Sequence, residues 1–140
     1  MSCNTNKNHT TTEIFPKGKK ATEHFTGNTW VQMLTVDAKN FDAMSYNVTF
    51  APGSRTDWHS HPGGQILYCI SGEGRYQEKG NPVQNLKVGD VVEIKPNIVH
   101  WHGAAPNSEF AHVGISTQLS KGPVKWLSAV TDEEYNNPEN

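Results

Sequence analysis

The chain has 140 residues, 12 Lys and Arg against 14 Asp and Glu, and a formal charge of -2, a size that fits one domain with a modest core of its own. With no block of basic residues, this balance argues against nucleic acid or an anionic membrane as partner, and a small-molecule substrate fits better. Two cysteines, Cys3 in a polar tail and Cys69 in an apolar run, build neither a disulfide framework nor a Cys-rich zinc site, so a reducing cytoplasm is the expected compartment.

Residues 1–20 are rich in Asn, Thr and Lys, with almost nothing apolar before Ile14 and Phe15. They are expected to form a flexible arm, followed by one domain over residues 21–140. No apolar stretch suits a signal peptide or a membrane span, so a non-exported protein is expected. Trp30, Val31, Met33, Leu34 and Val36 mark a strand within residues 24–36, and the polar segment 37–42 reads as a loop. In the next strand Met44, Tyr46, Val48 and Phe50 alternate with Ser45, Asn47 and Thr49, the period of a strand with one buried face. Ile66 to Ile70 is apolar on both faces, Leu67 and Cys69 on one and Ile66, Tyr68 and Ile70 on the other, so both are expected to be covered, the second by another copy of the chain in a homodimer.

Turn signals at Gly72–Gly74, Gly80–Pro82 and Lys87–Asp90 then separate short strands near residues 75–79, 83–86 and 91–94. Further strands are expected at 98–102 and 109–118, with a loop between them. Thr131 to Glu134 has the spacing of a capping box and introduces a short terminal helix. Short strands with Gly and Pro turns and no long-period repeat predict an all-β sandwich or barrel, of which the jelly roll can gather ligands inside.

Five of the seven histidines fall between positions 59 and 112. His59 and His61 are two apart, so in an extended strand their side chains share a face and can converge on one point. His59, His61 and His100 with the Gln65 carbonyl oxygen form a donor set for a first-row divalent metal that leaves positions open for substrate. A neutral amide at 65 leaves the ion its full charge and its strength as a Lewis acid. The same parity places His100 with His102, and His112 with Gly114 and Ser116. His102 and His112 are candidate general bases, or else groups that orient a neighbour. The expected cavity wall is Tyr46, Val48, Phe50, Thr56, Leu67, Phe110 and Ser116, with Trp101 or Trp126, and suits an aromatic or branched aliphatic substrate.

Gly53, His59-x-His61, Gln65 and Gly72 resemble the first cupin motif at every position except Gln65, where the family usually has Glu. Gly89-Asp90, Pro96 and His100 resemble the second, with a departure at Asn97 and in the distance from Pro96 to His100. Residues 100–106, 110–112, 25–27 and 130–135 resemble, more narrowly, the small single-domain cupins of the carboxymuconolactone-decarboxylase-like and manganese-dependent hydroxynitrile lyase group. The resemblance implies a double-stranded β-helix with a short C-terminal helix. It implies metal ligation by His59, His61, Gln65 and His100, with His102 and His112 beside substrate. Manganese is the first expectation for the ion, and iron, nickel, cobalt or zinc fit the same donors. The implied reaction is cleavage of a C–C bond next to a hydroxyl; the alternatives are a manganese- or iron-dependent dioxygenase and a non-catalytic metal-stabilised binding module.

Overall fold

A computed structural model describes residues 13–136. Cys3 and residues 1–12 of the expected arm lie outside the described residues. The described residues form thirteen strands: β1 (Lys19–Lys20), β2 (Phe25–Thr26), β3 (Thr29–Met33), β4 (Ala43–Phe50), β5 (Arg55–Thr56), β6 (His59–Ser60), β7 (Gln65–Gly72), β8 (Gly74–Glu78), β9 (Gln84–Leu86), β10 (Val91–Ile94), β11 (His100–Ala104), β12 (Phe110–Thr117) and β13 (Lys125–Trp126). Two short helices, α1 (Ala38–Phe41) and α2 (Asp132–Asn136), complete the described residues together with a 3-10 turn at Leu119–Lys121. Among them no helix is long and apolar enough to cross a membrane.

All strand pairings are antiparallel. One sheet runs β1-β3-β4-β12-β7-β10, and the other runs β13-β6-β11-β5-β2, with β8 bridging β11 and β9. This is the two-sheet jelly roll expected of an all-β chain with short Gly- and Pro-bounded strands.

Register decides which side chains look inward. On the first sheet Tyr46 lies opposite Gly114, Val48 opposite His112 and Phe50 opposite Phe110, while Gln65 lies opposite Ser116 and Leu67 opposite Gly114. The period of two therefore lays one inner row across three strands. Phe50, Leu67 and Phe110 are fully buried in a core with Val48, Cys69, Tyr76 and Ile94, each worth about 1.5–3 kcal/mol of burial. Burial pushes the Cys69 thiol up to about 11, helped by the Asp90 charge, as befits a small packed side chain rather than a nucleophile.

A second cluster joins Trp58, Trp101, Val130 and Tyr135. It exists because α2 folds back. Glu134 N–H donates to Thr131 Oγ1 and Thr131 N–H to Glu134 Oε1, each at 3.0 Å, the reciprocal bonds of the capping box. The buried Arg55 clasps the same segment, donating from Nη2 to Val130 O at 2.7 Å and Asp132 Oδ1 at 2.8 Å.

Several expectations need correction. Residues 24–36 do not form one strand, because a bend at residues 27–28 separates β2 from β3. Segment 37–42 holds a turn of helix, α1, whose Asp37 carboxylate accepts from Asn40 N–H. The strand expected at 98–102 begins at His100 and runs to Ala104. Before it Asn97 takes a left-handed turn at φ 67, a conformation asparagine tolerates where other side chains do not. Pairing also reaches into the stretch expected to be an arm, with Lys19 opposite Val31 and Lys20 opposite Trp30. On β7 the inner residues are covered, but Tyr68 on the outer face is 41% exposed, so one chain alone does not cover that face.

Candidate metal centre

His59 on β6 and His100 on β11 lie directly opposite one another, and His61 follows two residues after His59, on the same side. One ring nitrogen from each falls within 4.8 Å of the others. His59 and His100 are buried and His61 is half-buried.

Two backbone carbonyls aim the rings. His59 Nδ1 lies 2.8 Å from Asp57 O and His100 Nδ1 lies 2.9 Å from Ile98 O. A carbonyl only accepts, so each Nδ1 carries the proton and each Nε2 presents a lone pair. His61 Nε2 is buried with no hydrogen-bond partner. Burial holds His59 well below the ordinary histidine range, with the His100 ring adding to it, and takes His61 and His100 to about 4. The rings are therefore neutral at neutral pH, the form that ligates a cation.

Gln65 completes the group from the other sheet. Its Oε1 lies 3.2 Å from His100 Nε2, and its Nε2 donates to the Tyr46 hydroxyl at 2.8 Å. With His100 Nδ1–H committed to Ile98 O, two lone-pair atoms face each other across that gap. A cation accepts from both where a proton cannot satisfy the pair as it stands. The orphaned His61 nitrogen and this acceptor-on-acceptor contact make the residues a good fit for a divalent metal with N and O ligands.

His102, two residues beyond His100, stacks against it at 5.6 Å between ring centroids. Its Nδ1 is 3.0 Å from His112 Nε2, and its Nε2 is buried without a partner. Burial and the neighbouring imidazoles hold His102 well below the usual range.

A cavity of about 370 Å³ opens in front of these groups, lined by His59, His61, Gln65 and His102 on its polar side. Of the expected wall residues, Tyr46, Val48, Thr56, Ser116 and Trp126 line it. Phe50, Leu67 and Phe110 do not: they sit in the core, their side chains consumed by packing between the sheets. Trp101 also lies elsewhere, since it alternates with His100 and His102 and faces α2, donating from Nε1 to Gln77 Oε1 at 2.8 Å. His112 does not line the cavity, in contrast to the expectation of a place beside substrate. Its ring packs against Phe50 and Phe110 at 5.6 and 5.8 Å and reaches the cavity only through His102.

The lining also includes Phe25, Val31, Met33 and Met44, and Leu119, Gly122, Pro123 and Val124, none of which was expected. The alternation that singled out Tyr46 would have found Val31 and Met33 on β3. Nothing local marks the 119–124 segment, which is placed by pairing of β13 with β6.

A family model for the cupin domain, Cupin_2, matches residues 46–113, a span that includes His59, His61, Gln65 and His100. The chain is 40% identical to the (R)-mandelonitrile lyase of Granulicella tundricola over 118 residues, covering 84% of this chain and 90% of that protein. A crystal structure of a cupin-like protein from Thermotoga maritima superposes with a TM-score of 0.87 at 56% identity, covering 91% of this chain and 98% of that one. A cupin 2 conserved barrel domain protein from Rhodopseudomonas palustris shares the fold at a TM-score of 0.68 and 16% identity, over 79% of this chain and 77% of that one. The register of the two sheets, the histidine trio between them and these likenesses together place the chain in the cupin family.

Proposed function

We propose that this cupin is a metal-dependent lyase that cleaves the C–C bond beside a hydroxyl, releasing cyanide from a hydroxynitrile with an aromatic or branched side chain. The reading extends to this chain the activity in the name of the Granulicella tundricola relative. The observation that carries it is His102, which lines the cavity beside the histidine trio with Nε2 buried and unpartnered.

His59, His61, His100 and Gln65 Oε1 would hold the ion, with manganese as our assignment. When bound, a divalent metal there supplies Lewis acidity toward the substrate oxygen, undiminished by any carboxylate ligand. The rest of the chemistry falls to the chain. We assign the proton between the two rings to His102 Nδ1, donated to His112 Nε2, which would leave His102 Nε2 bare to act as base. His102 Nε2 takes the hydroxyl proton. The C–C bond to the nitrile breaks, its electron pair leaving with cyanide as the carbonyl forms. The proton on His102 then passes to cyanide, giving hydrogen cyanide and an aldehyde. Val48, Val31, Met33 and Trp126 offer the hydrocarbon part of the substrate an apolar wall and keep water from the transferred proton.

The test is cyanide and benzaldehyde release from mandelonitrile by metal-loaded protein and by His102→Ala loaded equally. The variant is expected to lower kcat by about 10²–10⁴-fold, the usual contribution of a general base. No release by loaded, folded wild type would remove the lyase reading, and oxygen uptake with an electron-rich aromatic in its place would favour an oxygenase.

A further inference from the structure

An amide ligand carries a problem that a carboxylate does not. Its two ends are nearly the same shape, yet only the oxygen can ligate, and a flip of the Gln65 side chain would turn an NH₂ group on the trio instead. In the absence of a cation the flipped amide would even be comfortable, donating to His100 Nε2. Something else must choose the end.

The choice is made on the far side of the amide. Gln65 Nε2 donates to the Tyr46 hydroxyl at 2.8 Å, and that hydroxyl lies 2.6 Å from Ser116 Oγ. The Tyr46 oxygen receives a hydrogen from Gln65, and with Tyr46 as the donor in its contact with Ser116 its own proton points to Ser116 Oγ. The chain of bonds therefore has a direction. Were Ser116 unable to accept, the Tyr46 proton would be free to turn to Gln65 Oε1 and hold the amide the wrong way round.

The backbone fixes this relay as firmly as it fixes the histidines. Ser116 lies directly opposite Gln65 on β7, and Tyr46 lies opposite Gly114 on β4. A Cβ at Gly114 would fall 2.4 Å from Tyr46 Cε2, so the Tyr46 ring lies over the bare glycine and its hydroxyl is delivered to the space between Ser116 and Gln65.

We propose that Tyr46 and Ser116 are positioning residues that fix which end of the Gln65 amide faces the histidine trio. The inference rests on the metal-centre reading and predicts a dependence peculiar to glutamine. With glutamate at 65 both ends are oxygen and orientation no longer matters, so Tyr46 and Ser116 lose this role.

The test is Mn²⁺ affinity, by calorimetric titration and by electron paramagnetic resonance of the bound ion, in wild type, Tyr46→Phe, Ser116→Ala, Gln65→Glu and the two double variants with Gln65→Glu. Each single change at 46 or 116 is expected to weaken binding by about tenfold or more, the scale of groups that orient a metal ligand. In the Gln65→Glu background the same changes should stay within about twofold, which a loss of fold or packing would not do. Equal losses in both backgrounds, or no loss in either, would overturn the proposal. Failure of wild type to bind Mn²⁺ at all would overturn the metal centre itself, a result distinct from binding that is indifferent to Tyr46 and Ser116.

Discussion

His112 Nε2 lies 3.0 Å from His102 Nδ1, with the two rings close to perpendicular at 70°. Of the two, only His102 reaches the cavity. On the lyase reading His112 would act through His102, by holding its tautomer. His112→Ala is expected to lower kcat for cyanide release by about 10–100-fold with KM little changed, while metal content stays that of wild type. A larger loss than in His102→Ala, measured on equally loaded protein, would put His112 at the substrate instead.

Metal binding and folding should be linked. The trio draws on β6 and β11 of one sheet and Gln65 on the other, so an ion there ties the two sheets together. Free metal at 100 times its dissociation constant should stabilise the fold by about 2.7 kcal/mol. In thermal unfolding the midpoint should rise with added Mn²⁺ and fall with chelator in wild type, and respond to neither in His100→Ala. An unchanged wild-type midpoint would argue against a site built across the sheets.

Acid should destabilise the metal-free protein earlier than its carboxylates alone require. Burial lowers His61 and His100 to about 4 and His112 to about 3, whereas an unfolded histidine titrates near about 6.5. Between those values the unfolded chain binds more protons than the folded one, so stability is full above the unfolded value and is lost as pH falls. Each such histidine contributes a slope of about 1.4 kcal/mol per pH unit inside that window. The unfolding midpoint should hold near neutrality and drop steeply between about pH 6 and pH 4. A flat profile across that range would contradict the burial of these rings as neutral groups.

Leu67 and Val48 separate packing from recognition. Both were expected in the wall and both pack in the core, but Leu67 is confined to the core while Val48 also lines the cavity. Leu67→Ala should cost about 2–5 kcal/mol of stability with KM for mandelonitrile unchanged. Val48→Ala should change KM, and chemical denaturation beside steady-state kinetics would check both. A KM shift in Leu67→Ala with full stability would reverse the two assignments.

Much of this site could be read from the chain because strand parity is a local rule. His59-x-His61, His100-x-His102 and the alternation of β4 each place side chains on one face before any partner strand is known, and the spacing to Gln65 added the fourth donor. What stayed hidden depends on which strands meet. The depth of Phe50, Leu67 and Phe110 follows from how the two sheets close over them, and the alternation of β4 cannot separate Phe50 in the core from Val48 in the wall. His112 shares parity with Ser116, yet the three residues between them carry it away from the cavity and against His102. The helix α1 escaped notice because a four-residue turn stopped by Asp42 in a left-handed conformation has no periodicity to detect. The Asp57 and Ile98 carbonyls that aim His59 and His100 carry no sequence signal, since every residue has one.

On the proposed reading three imidazoles and one amide hold a catalytic ion. Elemental analysis of protein purified without chelator, wild type beside His59→Ala, tests it most directly. Close to one divalent transition metal ion per wild-type chain and little in the variant are expected, with both proteins folded by circular dichroism. Equal metal in the two, or none in a folded wild type offered Mn²⁺, would contradict it.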